Sequence, residues 1–260
     1  MNWTRRQVLL GAAALAMAPR AEAFGSLSEI NIAELDLQGT TSRLDAWERL
    51  LHEVQQTTSV ETNPKPVRID PKTGDLFKYP FAVLTGTAAF SMPDDKTLEQ
   101  LSRYLSYGGF LFCDDSSGAD GSGFDRSVRK LAEVLFPTRP LTPIPSDHSL
   151  YRAFFLISRP VGRITRHAYL EGITAAGMDG QGGYSPLIYC RNDLSGALDR
   201  GPDGRHRQTC TPGGETQRRE AVKLGINLIL YCLTSDYKKD QAHVKALMES
   251  HRMGVDWDSP

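Results

Sequence analysis

The sequence predicts an α/β domain whose mostly parallel sheet lies between helical layers, a three-layer sandwich, and three observations carry that prediction. Phe81 to Leu84 and Phe110 to Cys113 are short continuous apolar runs, the pattern of strands covered on both faces. Between them, a helix from about Asp94 to Tyr107 places Leu98, Leu101 and Leu105 on one stripe. A strand–helix–strand unit this compact implies a parallel, right-handed crossover. The pattern recurs in the amphipathic stretch Phe124, Val128, Leu131, Ala132 and Leu135, which Pro137 ends.

Taken in order, residues 1–23 read as a targeting segment rather than as part of the fold. Thr4-Arg5-Arg6-Gln7-Val8-Leu9-Leu10 is a twin-arginine pattern, Val8 to Ala18 is a short apolar run, and Ala21-Glu22-Ala23 is an A-x-A cleavage site. The run is too short to span a bilayer, and Pro19 and Arg20 end it. The expectation is export through the Tat route to the periplasm, with a mature chain from near Phe24. An N-terminal anchor that is never cut is the competing reading.

Ile30, Ile32, Leu35 and Leu37 then alternate with polar residues as a first strand, and Ser42 stands where it would cap a helix carrying Leu44, Trp47, Leu50, Leu51 and Val54. Pro64, Pro66 and Pro71 punctuate a connector with a short strand at Val67 to Ile69. Ser91 with Asp94 resembles a capping box, and Gly108-Gly109 stops the helix that follows. A Pro-rich connector leads to Asp147-His148 and the apolar run Phe154 to Ile157. Tyr169 to Ile173 and Leu187 to Cys190 read as later strands, and residues 194–217 as a long polar loop. Ala221 to Leu233 is apolar almost all round, as a central helix would be. A separate last helix, about Tyr237 to His251, carries the modest stripe Val244, Leu247 and Met248.

The composition is that of an ordinary globular protein, with a formal net charge of −1. Removing residues 1–23 takes away three arginines and one glutamate and moves the charge to −3. No basic face or stripe stands out, so no nucleic-acid partner is expected, and no later segment has the length and apolarity of a transmembrane helix. Cys113, Cys190, Cys210 and Cys232 show no C-x-x-C spacing, which argues against a zinc knuckle or a thioredoxin-type site. Buried, inert thiols are the preferred reading; an oxidising compartment also allows one disulfide, for example through Cys210.

The segments YPFAVLTGT, LSRYLSYGGFLFCDD, LFPTRPL, IPSDHSLY, LIYCRNDLSG and LGINLILYCLT, in this order and spacing, resemble the domain-of-unknown-function family numbered 4159 from about Ile30 to Thr234. That family is similar in fold to the class I glutamine amidotransferase-like group, a flavodoxin-like α/β sandwich. The resemblance implies a domain over residues 24–235, with a C-terminal helix and tail over 236–260. It implies no activity. Relatives often carry this domain at the end of a larger membrane protein whose front part resembles an aerotolerance-operon component; an exported, stand-alone copy would depart from that.

In an open parallel sheet, ligands collect outside the carboxyl ends of the strands. Thr85-Gly86, Asp114-Asp115 and Arg191-Asn192-Asp193 should point there, and these are the candidate ligand-binding residues. His148 is a candidate to reach the same rim, and with Asp114 and Asp115 it makes the candidate catalytic set. Two adjacent carboxylates cost solvation and mutual repulsion unless water, a base or a cation compensates them. The competing reading is that both aspartates cap a helix or tie down a loop. Asp114, Asp115 and Asp120 lie in an oxygen-rich, glycine-containing loop that offers ligands to a hard divalent cation, without EF-hand spacing; a solvated acidic loop is the preferred reading.

Several sites are missing. There is no G-x-S-x-G elbow, no P-loop, and no second histidine to complete the zinc-protease start at His52-Glu53. The amidotransferase resemblance asks for a cysteine on a strained turn, whereas Cys113 ends an apolar strand beside two carboxylates. The leading expectation is a non-catalytic module of the cell envelope that binds a ligand or a protein partner. The alternatives are a metal-assisted envelope hydrolase using Asp114 or Asp115 with His148, and a structural subunit of a membrane-associated complex.

Overall fold

The computed structural model describes residues 30–173 and 184–252, and the expected targeting segment lies outside them. Seven strands form one sheet: β1 (Ile32–Leu35), β2 (Val67–Ile69), β3 (Phe81–Gly86), β4 (Phe110–Asp115), β5 (Thr142–Pro143), β6 (Glu171–Gly172) and β7 (Leu187–Cys190). Their spatial order is β2-β1-β3-β4-β7-β6-β5. The first five in that order are parallel, while β6 runs antiparallel to β7 and β5 antiparallel to β6. Every residue of β3 and β4 is buried, as continuous apolar runs require in the middle of a covered sheet.

Helices α1 (Leu44–Thr57), α4 (Leu194–Leu198) and α5 (Gly214–Arg252) pack on one face; α2 (Asp95–Ser106) and α3 (Gly123–Leu135) pack on the other. The strand period of two sorts the core accordingly. Phe81, Val83, Phe110, Phe112 and Ile188 join Trp47 and the α5 side chains, while Ala82, Leu84, Leu111, Cys113 and Tyr189 join Leu101, Phe124 and Leu131. Because α5 is embedded from Ala221 to Cys232, it reads apolar nearly all round there.

Helix ends differ from the sequence expectation in instructive ways. Ser42 does not cap α1; its hydroxyl bonds Glu34, and the Glu34 carboxylate accepts the Arg43 amide at 2.9 Å. A fully buried strand residue therefore caps this helix from below. Asp94, not Ser91, caps α2 through the Thr97 amide, and Gly108 leaves the helix at φ +116°, a backbone that favours glycine. The polar segment 194–217 is not one loop, because it contains α4 and the start of α5. α5 is a single 39-residue helix where two were expected. Phe154 to Ile157 carries no strand. Among the described residues, no helix is long and apolar enough to cross a membrane.

Candidate functional site

Adjacent residues of a strand point to opposite faces, so Asp114 and Asp115 do not share a site. Asp114 points into the layer of α1, α4 and α5. Its Oδ1 accepts the Leu194 amide at 2.9 Å and its Oδ2 the Ser195 amide at 2.8 Å. It caps α4 from across the sheet, as Glu34 caps α1. Beside it, Asp193 holds a left-handed backbone (φ 55°), accepts the Gly196 amide at 3.0 Å and pairs with the Arg163 guanidinium. Both carboxylates are wholly buried. Burial, and then the neighbouring Asp193, pushes the Asp114 carboxyl up to about 7.

Asp115 points into the layer of α2 and α3. Its Oδ1 accepts the Ser117 amide at 2.7 Å, and its Oδ2 lies 2.9 Å from the Ser122 hydroxyl and 3.3 Å from the Tyr189 hydroxyl. Ser122 in turn caps α3 through the Asp125 amide. Tyr189 also lies 3.1 Å from Asp125, whose partner Arg129 reaches Glu171. Burial and the two aspartates hold the Tyr189 phenol well above its ordinary range. Arg191 joins Glu171 at 3.2 Å to Asp120 at 3.1 Å, and His167 Nε2 stands 3.1 Å from the same carboxylate. Burial, then Arg191, pulls the His167 pKa down. Tyr189, Arg129, Glu171 and His167 were not singled out from the sequence; an aromatic hydroxyl inside an otherwise apolar strand was the one available signal.

The rim itself is covered by the chain. Asn192 is fully buried, and its amide donates to the carbonyls of Pro160 and His167 and accepts the His167 amide. Backbone bonds from Arg163 to Asp193 and from Ile164 to Asn192 complete a strap over the strand ends. Thr85 is buried beneath, and the Phe124 ring occupies the space a side chain at Gly86 would need. A cavity of about 280 Å³ does open on the carboxyl edge, but beyond β1 and β2, where Asp36, Gln38, Asp70, Lys72, Ser91 and Asp94 line it. None of the residues expected at the site lines it.

His148 does not reach this rim. Its Nδ1 accepts the Leu150 amide at 3.3 Å, its Nε2 lies 3.4 Å from the Ser185 hydroxyl, and its ring is 5.3 Å from Tyr231. Tyr231 packs on Phe110, the first residue of β4. His148 therefore sits at the amino ends of the strands, and four residues of β4, about 13 Å, separate that end from Asp114. With Nδ1 accepting, Nε2 carries the proton and donates to Ser185, the wrong direction for activating a hydroxyl.

The remaining chemistry is equally internal. All four cysteines are free and buried; burial drives the Cys113 thiol far up, with Asp114 adding to the effect, and Cys190 behaves likewise. Among the described residues, no three of His, Cys, Asp and Glu converge as metal ligands. Asp114, Asp115 and Asp120 instead serve three separate sets of donors.

No curated protein matches the chain. The family model described as domain of unknown function (DUF4159) matches residues 31–233, which span all seven strands and α1 to α4 together with the buried part of α5. The chain belongs to that family.

Proposed function

We propose that this protein is an exported, non-catalytic, amidotransferase-like module of the cell envelope that binds a ligand or a protein partner. Numbered alone, its parallel strands run 2-1-3-4-5, the winding of flavodoxin-like sheets, which supports the finer fold reading. The observation that carries the functional reading is the use of the carboxyl-edge groups: Asp114 caps α4 and Asn192 holds the strap. Groups locked into backbone bonds and covered by the chain serve architecture, and no thiol here is poised as a nucleophile.

One observation favours the hydrolase alternative. Asp114 titrates near neutrality, as a general acid or base would. Against it stand the burial of Asp114 and the placement of His148 at the other end of the sheet. The test is a turnover screen of the chain from Phe24 onward against ester, amide, glutamine and phosphoester substrates. No turnover above background is expected. Specific turnover that disappears in Asp114→Asn and Asp115→Asn, with both variants folded, would overturn the non-catalytic reading. Export is tested separately, because Arg5→Lys with Arg6→Lys should retain a fused reporter in the cytoplasm.

A further inference from the structure

The segment Tyr151 to Arg159 presents an apolar tip that the fold does not use. Leu156 is 87% exposed and Phe154 47%, while Phe155 between them packs against the core. Isolated exposed apolar side chains are ordinary on a protein surface. Here, however, the display is held in place. Asn227, wholly buried on α5, accepts the Phe155 amide at 2.8 Å and donates to the carbonyls of Phe155 and Leu150 at the same distance. The Phe155 backbone is thus pinned on both sides, so its two neighbours cannot relax inward. Phe154 stacks edge-on against Phe155, with centroids 4.9 Å apart.

The charges around the tip are of one sign. From Ser149 to Leu170 the chain has no acidic residue but holds Arg152, Arg159, Arg163 and Arg166. Arg163 is consumed by Asp193, and Arg166 reaches the Gly118 carbonyl. Arg152 and Arg159, which bracket the tip, are exposed, and among the described residues neither makes an ion pair. Other arginines in this fold are matched to carboxylates, among them Arg43, Arg68, Arg129, Arg191 and Arg207. On α5, Lys223 stands 5.8 Å from the Phe155 ring and is neutralised by Glu220.

We propose that the tip docks on an anionic lipid surface, with Phe154 and Leu156 entering the headgroup–acyl boundary and Arg152 and Arg159 meeting lipid phosphates. A convex tip with two splayed apolar side chains fits a deformable apolar phase, and flanking cations fit the headgroups above it. Two side chains and two charges make this attachment weak and reversible. The inference stands on this loop alone and is independent of the carboxyl-edge reading.

The test is co-sedimentation of the chain from Phe24 onward, which contains every described residue, with phosphatidylcholine vesicles lacking or containing phosphatidylglycerol. Binding is expected only with the anionic lipid and should weaken as salt rises. Phe154→Ser with Leu156→Ser should reduce it about tenfold, and Arg152→Gln or Arg159→Gln about fivefold each. Circular dichroism and melting temperature should stay unchanged in all variants, since these side chains support nothing in the fold. Absence of vesicle binding would overturn the proposal, as would binding indifferent to the Phe154/Leu156 substitution. A self-association of the chain that the same double substitution abolishes would assign the tip to a second copy instead.

Discussion

Glu34 and Asp114 do the same work at two places: each is a buried carboxylate near a strand end that accepts backbone amides at the start of a helix on the same face. The arrangement satisfies orphan amides of α1 and α4, but it places two acids in a poor environment for charge. Both pKa values are raised, burial being the first cause in each. For Asp114, raised from 3.8 to about 7, the folded protein keeps a proton that the unfolded chain releases. Its contribution to stability is complete below the unfolded pKa and is lost as pH rises through about 7. Unfolding free energy should therefore fall between about pH 5 and pH 8, and Asp114→Asn should flatten that fall; urea titrations across the range check it. Gly86 offers a steric counterpart. A Cβ there would stand 2.5 Å from the Phe124 ring, so Gly86→Ala should cost about 1–3 kcal/mol in the same assay.

At the scale of elements, the connector from Ser158 to Tyr169 behaves as a strap that Asn192 fastens to the end of β7. Three hydrogen bonds depend on one side chain. Asn192→Ala leaves buried partners unsatisfied and should destabilise the fold by about 2–4 kcal/mol. Limited proteolysis should then cut within the strap well before any other site, whereas the parent chain should resist there. Little of this was legible beforehand. Asn192 was recognisable as a residue at the carboxyl edge because β7 was recognisable, but its partners lie 25 and 32 residues away in a segment without periodicity. The misplaced caps have a related cause. Ser42 has the right chemistry at the right position, yet Glu34 supplies a stronger acceptor from a strand, a contact that local patterning does not encode.

For the whole molecule, the core residues run from Ile30 to Cys232, closely matching the residues that the family model covers. A chain ending after Thr234 should therefore retain its fold, with a melting temperature within about 3 °C of the longer chain by calorimetry. The α/β class, the central strands β3, β4 and β7, and the helices between them followed from the sequence, because apolar runs and 3.6-residue stripes are local consequences of burial. The position of the polar residues at the carboxyl edge followed as well, since it depends only on where strands stop. Which of them meet did not. The alternation of the strand sends Asp114 and Asp115 into different layers, and the path of the strap covers the rim. His148 lies at the amino end. Those outcomes rest on contacts between segments far apart in the chain, where burial and hydrogen-bond satisfaction are decided by packing rather than by neighbours in sequence.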